Sequence, residues 1–152
     1  MRIVVVSVGR WKQGPERTLF EHYAKRCPWR LELVELSLKG KVPQGSLRRA
    51  ESDLIQAQLP AGLPVAVLDE RGEALDSLAL AKLLGDWRDQ GRGGVCFVIG
   101  GADGVDQNLR ARADRCLAFG KLTWPHLLVR ALVAEQVYRA STILAGHPYH
   151  RT

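Results

Sequence analysis

A parallel α/β sheet is the fold this sequence predicts, and three observations predict it. Short apolar, β-branched runs recur along the chain, helical stretches separate them, and glycines close the strands at the end where open sheets of this kind hold ligands. The chain has 152 residues, 46% hydrophobic and 25% charged, which suits one globular domain with a single core. With no repeat and no linker, residues 1–152 read as one domain.

The first run, residues 2–8, is nearly all β-branched and stops at Gly9, as expected of a strand buried on both faces of a parallel sheet. Residues 31–36, 64–68 and 95–99 are of the same type. Helices are predicted over residues 15–26, 46–59 and 77–90, the last with Asp76 or Ser77 as its cap and Gly91 as its stop. A short helix over residues 106–115 and a weak strand near residues 116–119 lead to a long final helix, residues 125–144. There Thr123 or Trp124 takes the N-cap position, Pro125 the first turn and Gly146 the end.

Composition narrows the function classes. No apolar run is long enough to span a bilayer, and the opening Met1-Arg2-Ile3-Val4-Val5-Val6 is too brief, with no cleavage site after it, to be a signal peptide. A cytoplasmic protein is expected. Cys27, Cys96 and Cys116 are widely spaced with no CxxC pair, so no metal site is expected and the thiols should be free. Lys plus Arg exceed Asp plus Glu by six, which suits a polyanionic partner through counterion release and equally a merely basic solvated surface. The basic, breaker-rich stretch from Leu38 to Gly45, with Lys39 and Lys41, followed by Arg48 and Arg49, either grips phosphates or is a solvated loop.

Chemistry concentrates in three places. Gly100-Gly101-Ala102-Asp103-Gly104 follows a predicted strand at the carboxyl edge of the sheet. It is too short for GxGxxG and lacks the Lys-Ser or Lys-Thr pair of a P-loop; a tight turn, a nucleoside-type cofactor site and a phosphate site all remain, with Asp103 arguing against phosphate. Leu68-Asp69-Glu70-Arg71-Gly72 opens onto the same edge and offers a second pocket wall, unless Asp69 only caps local backbone. The last helix has apolar residues all round its circumference, so it must be buried on several sides, which predicts a homodimer with this helix at the interface. Its wheel puts His126 with Arg130 and, on the opposite face, Glu135 with Arg139. The second pair reads as a structural ion pair, while His126 is either a working group at the helix start or a structural histidine. The tail, Gly146-His147-Pro148-Tyr149-His150-Arg151-Thr152, is unusually rich in chemistry for a terminus and is either part of a site or solvated.

Phe97-Val98-Ile99-Gly100-Gly101-Ala102-Asp103-Gly104, Leu122-Thr123-Trp124-Pro125-His126, Arg130, Glu135-Gln136-Val137-Tyr138-Arg139-Ala140 and the terminal Pro148-Tyr149-His150-Arg151 together resemble the ribosomal large-subunit pseudouridine N3-methyltransferases, the small bacterial SPOUT-class enzymes known as RlmH. The resemblance runs from the first strand to the last residue. It implies a mostly parallel sheet of five or six strands whose C-terminal part forms a trefoil knot, a rare exception to unthreaded topology. It implies S-adenosylmethionine as cofactor, held at Leu68, Gly101 and Gly120-Lys121-Leu122-Thr123-Trp124-Pro125. Carboxylates such as Asp69 and Asp103 are tolerable beside a sulfonium cation. Leu117-Ala118-Phe119-Gly120 stands where similar proteins have serines, so contacts there fall to backbone, and Glu73 replaces a common lysine.

The activity implied is methylation of N3 of a pseudouridine in a 23S rRNA stem-loop at the subunit interface of the assembled ribosome. His126 and His150 are the candidate bases; Arg130, Arg139 and Arg151 are candidates for holding negative charge, and Tyr149 for contacting the target base. A tail delivered into the partner's cofactor pocket follows from the dimer expectation. Another SPOUT-type RNA methyltransferase and a non-enzymatic ribosome-binding protein of the same fold are the alternatives.

Overall fold

The computed structural model describes residues 1–150; Arg151 and Thr152, the former a candidate site residue, lie outside the described residues. Five strands and five helices alternate: β1 (Arg2–Val8), α1 (Pro15–Arg26), β2 (Arg30–Leu36), α2 (Leu47–Gln58), β3 (Val65–Ala74), α3 (Ser77–Asp89), β4 (Gly94–Ile99), α4 (Gln107–Arg112), β5 (Arg115–Ala118) and α5 (His126–Leu144). All strand pairings are parallel and the order is β2-β1-β4-β3-β5. The predicted fold class is therefore the one observed.

Alternation along each strand divides the core into two layers. Ile3 and Val5 of β1, Ala66 of β3, and Val95, Phe97 and Ile99 of β4 pack with Phe20 of α1, Leu80 and Leu84 of α3, and Ala131, Ala134 and Val137 of α5. Val4, Val6, Val67, Cys96 and Val98 point the other way, onto Ile55 of α2 and Leu109 of α4. Burial holds the mid-strand Cys96 thiol protonated, its pKa pushed up to about 12. The strand read from residues 31–36 differs from its siblings: β2 is an edge strand, and its Leu31 and Leu33 are only half-buried.

Helix ends follow their caps with two corrections. Asp76 accepts from the Ala79 amide at 2.7 Å to start α3, and Asp106 accepts from Leu109 at 2.8 Å to start α4. The short α4 stops at Arg112, three residues before the expected end, because Asp114 is claimed by β3: its carboxylate accepts from the Val65 amide and its own amide donates to the Val65 carbonyl. Neither Thr123 nor Trp124 caps α5; Pro125 is the cap residue, with no side-chain bond. Gly146, at φ +66°, ends that helix in the left-handed conformation that glycine adopts without steric cost.

The strand read from residues 64–68 is longer than its apolar run. β3 pairs with β5 through Leu68 opposite Leu117, bulges outward over Asp69–Gly72, and pairs again with Glu73 opposite the same Leu117. At the return, Gly72 lies flat on β5, so that a Cβ there would sit 2.5 Å from the Leu117 carbonyl carbon. Gly72→Ala should force the strands apart and cost about 1–3 kcal/mol, the range for overpacking, read as a lowered urea midpoint with unchanged slope. An unaltered midpoint would contradict this close approach.

Candidate active site

The carboxyl ends of β3, β4 and β5 enclose an open cleft of about 270 Å³, near the lower bound for small-molecule sites. One wall is the β3 bulge, Asp69 to Arg71; the floor is Gly100 to Gly104; the other wall is Leu117 to Gly120 with Leu122, Thr123 and Trp124, and His126 and Val129 of α5 close the back. All three regions singled out in the sequence thus contribute to one cavity, the last helix through its first turn. Leu68, Gly101, Gly120, Leu122, Thr123 and Trp124 line it; Lys121 and Pro125 belong to the same loop but do not.

Backbone geometry shapes each wall. After β5, Gly120 turns the chain at φ +87°, and the Trp124 indole N–H donates to the Phe119 carbonyl at 3.0 Å, closing the loop on itself. Leu122 is 70% exposed and Trp124 40%, so this wall presents bare apolar surface at the cavity mouth. On the floor, Gly100 leaves no room for a side chain, since a Cβ would meet the Gly104 carbonyl at 2.9 Å.

Electrostatics favour a cation here. The Asp69 side chain is 4% exposed and takes both Arg71 and Arg110 as partners. Burial alone would raise its pKa, but the hydrogen bonds from Arg71 and the two guanidinium charges outweigh it and hold the carboxyl below its ordinary value. Asp69 accordingly does both jobs expected of it, binding its local backbone at the Arg71 amide and lining the cleft. Asp69, Glu70 and Asp103 line the cleft against one lining guanidinium, Arg71, so the balance of charge at its walls disfavours a phosphate and tolerates a cation.

His126 and Arg130 share one face of α5, as the wheel required, but they have separate surroundings. His126 faces the cleft; burial and the Arg130 charge lower its pKa, so it stands neutral at pH 7 and able to accept a proton. Arg130 is fully buried one turn behind. Its guanidinium donates to the Val8 carbonyl at 2.7 Å, the Gly9 carbonyl at 2.9 Å and Glu35 at 3.1 Å, and it stacks on Trp11 at 5.0 Å. Within this chain the Arg130 guanidinium is enclosed by the strand ends and Trp11 and does not line the cleft.

Arg139 pairs with Glu135 at 2.5 Å, the structural ion pair the spacing implied. The tail folds onto it: Tyr149 donates its hydroxyl to Glu135 at 3.2 Å, packs edge-on to Tyr138 at 4.8 Å and lies under the Arg139 guanidinium at 4.9 Å. Burial, a hydrogen bond with Tyr23 and the Glu135 charge raise the Tyr149 pKa, so the phenol stays protonated. His150 is half-buried, and its Nδ1 has no hydrogen-bond partner among the described residues. Glu135 lies nine residues from His126, about 14 Å along the axis and on the opposite side of α5. The tail is therefore remote from the cleft of its own chain.

Sequence reading missed Glu51. It sits on the α2 face that also buries Ser52 and Ile55, a carboxylate at a core-facing helical position, and that misplacement was the available signal. Its Oε2 is buried without a partner beneath Gly101, where any Cβ would run into it.

The whole chain can now be placed among known proteins. Residues 1–150 match the family described as "Predicted SPOUT methyltransferase". The chain belongs to the SPOUT methyltransferase family. It is 52% identical over 151 residues to the ribosomal RNA large subunit methyltransferase H of Rhodospirillum centenum, covering 99% of each chain, and 49% identical over 152 residues to that of Rhodospirillum rubrum, covering both completely. In fold it resembles a "probable methylase family protein" of Haemophilus influenzae, with a TM-score of 0.57 at 12% identity, over 99% of this chain and 70% of the other. SPOUT membership implies the threaded C-terminal half expected from the resemblance.

Burial, with a contribution from Asp103, raises the Glu51 pKa. A carboxyl whose folded pKa lies above its unfolded value adds stability below the unfolded pKa and loses it as pH rises through the folded one. Glu51→Gln should therefore match the parent near pH 4 and exceed it at pH 7 by on the order of 1 kcal/mol. Denaturant midpoints at the two pH values test this; equal midpoints for parent and variant at pH 7 would refute it.

Proposed function

We propose that this chain is an S-adenosylmethionine-dependent methyltransferase acting on N3 of a pseudouridine in large-subunit ribosomal RNA, within the assembled ribosome. Full-length identity near one half to proteins named ribosomal RNA large subunit methyltransferase H carries the assignment. A small cation-compatible cleft at the sheet edge supports it.

S-adenosylmethionine, when bound, supplies a methyl group on a sulfonium that leaves as a neutral thioether. Leu68, Gly101 and the Gly120–Pro125 loop, Lys121 included, would hold it, mostly through backbone, as the glycines and the apolar Leu117-Ala118-Phe119 stretch require. Neutral His126 is placed to take the N3 proton, at roughly a hundredfold rate advantage for a well-placed base. Arg130 holds α5, and with it His126, against the ends of β1 and β2. The remaining work is alignment and exclusion of water.

A homodimer completes the site. Inside one chain the buried positions of α5 cover an arc of about 200° at 100° per residue, leaving Leu128, Leu132 and Ile143 half-covered beside Glu135 and Arg139. A second copy covers such a stripe most simply. Because Tyr149 lies against Glu135 and Arg139, across α5 from its own cleft, Tyr149 and His150, with Arg139 behind Tyr149, would serve the partner's cleft, and Arg151 is assigned to the same site by the family resemblance. His150, whose Nδ1 has no partner among the described residues, is then a second acceptor for the proton.

Two measurements follow. Ribosomes from a strain lacking the enzyme should accept one methyl group at a large-subunit pseudouridine N3 when incubated with the protein and radiolabelled cofactor, while an isolated hairpin should be a poor substrate; a methyl on another base or on ribose would replace this assignment. Deleting residues 148–152 should leave cofactor affinity within about twofold and abolish transfer by more than about a hundredfold. Heterodimers of that deletion with a Gly101→Leu subunit should regain part of the activity, and inactive verified heterodimers would rule out a shared site.

A further inference from the structure

The basic loop between β2 and α2 has a neighbour that the sequence did not reveal. Because β1 and β2 are adjacent and parallel, the Gly9–Gly14 loop leaves the sheet beside the residue 37–43 loop, and the two are tied at their roots. The Gly9 amide donates to the Leu36 carbonyl at 2.7 Å, and the Trp11 amide to Glu35 at 2.5 Å. Arg10 and Lys12 from one loop and Lys39 and Lys41 from the other are exposed, and Arg48 stands at the start of the next helix. None of the five has an ion-pair partner among the described residues. Glu35, at the root of the two loops, is already held by Arg130 and the Trp11 amide. At the opposite edge of the sheet, Arg2 and Arg30 are neutralised by Glu32, and Arg88 by Asp89.

This ledge continues directly from the cleft. A Cβ on Gly9 would lie 3.5 Å from His126 Nε2, and His126 lines the cavity. The ends of β1 and β2 stand one and two strand spacings from β4, roughly 5 and 10 Å. That is the span of the first nucleotides beside a base drawn into the cleft. Phosphate contacts supply most of the sequence-independent affinity for a nucleic-acid strand, and exposed cations beside the cleft are suited to make them.

We propose that Arg10, Lys12, Lys39 and Lys41 form a phosphate-binding ledge that carries the RNA backbone flanking the target nucleotide to the cleft. The proposal rests on the RNA methyltransferase reading above and names where that substrate is gripped. The ledge affects binding and not the chemical step, so its loss should appear in KM and in salt dependence, with kcat preserved.

The test compares the full-length protein with two variants that each lose four charges: Arg10→Gln/Lys12→Gln/Lys39→Gln/Lys41→Gln on the ledge, and Lys25→Gln/Arg92→Gln/Arg112→Gln/Arg115→Gln at the other edge. The probe is intact ribosomes from a strain lacking the enzyme, with binding followed by fluorescence and transfer by radiolabel across a salt series. The ledge variant should keep its cofactor affinity and kcat, raise KM more than about tenfold at physiological salt, and flatten the slope of log affinity against log salt by about 3, at roughly 0.7 for each single-strand phosphate no longer neutralised. The other variant should move the slope by less than about 1. Equal slopes in both variants, or a raised KM with an unchanged slope, would overturn the ledge, the latter pointing to a ribosomal protein as the docking partner. If the parent binds with the expected slope but transfers no methyl group, the functional reading fails and the ledge stands on the binding data. Transfer without any slope difference between parent and ledge variant would have the reverse meaning.

Discussion

One buried guanidinium organises this molecule. Arg130 reaches from the last helix to the carbonyls of Val8 and Gly9 at the end of the first strand and to Glu35 near the end of the second. A charge without solvent is costly unless it is paired and hydrogen-bonded; here two carbonyls and a carboxylate take the two terminal nitrogens and the Trp11 ring covers the plane, while among the described residues Nε has no partner. Lysine could not reproduce it, because the planar fork meets Glu35 through one nitrogen and both carbonyls through the other while its face stacks on Trp11. The interaction joins residues 8 and 130, almost the full length of the chain apart, and fixes where α5 crosses the sheet. The position of His126, the shape of the cleft back and the direction in which the tail departs all follow.

The alternation of elements was legible because it is a local property. Strand β1, with its unbroken β-branched run, and helix α3, with Asp76 before it and Gly91 after it, were recoverable to within a residue, since periodicity and caps act over a few positions. The bulge in β3 was not. Asp69-Glu70-Arg71-Gly72 reads as a turn in isolation, and only the return of β3 to Leu117 makes it part of a strand; that pairing depends on β5, some forty residues later. The end of α4 shows the same limit, because the Val65 backbone, distant in sequence, captures Asp114.

Much of the site was visible for a similar reason. Glycine-rich strand ends at the carboxyl edge of a parallel sheet announce a pocket whatever its ligand, so the loops after Leu68 and at Gly101 could be brought together from the pattern of residues, while the Gly120–Trp124 loop was joined to them only by the resemblance to the RlmH family. What the wheel of α5 could not separate was the duty of residues on one face. His126 and Arg130 are a turn apart and point the same way, yet one meets the cleft and the other is sealed inside by Trp11 and the strand ends. Glu51 escaped notice because a glutamate within a polar-looking helix is ordinary until the helix is docked.

The two walls of the cleft differ in how they are held, and the difference sets how a ligand enters. The Asp69–Gly72 wall begins and ends on the same residue of β5, Leu117, and Gly72 is pressed against its backbone. That wall cannot swing without unpairing a strand. The facing wall is secured across its span by the bond from Trp124 to Phe119, and its exposed Leu122 has no packing to give up. Of the two walls, the Gly120–Trp124 segment is thus the one that can shift by giving up a single side-chain hydrogen bond, from the Trp124 indole N–H to the Phe119 carbonyl.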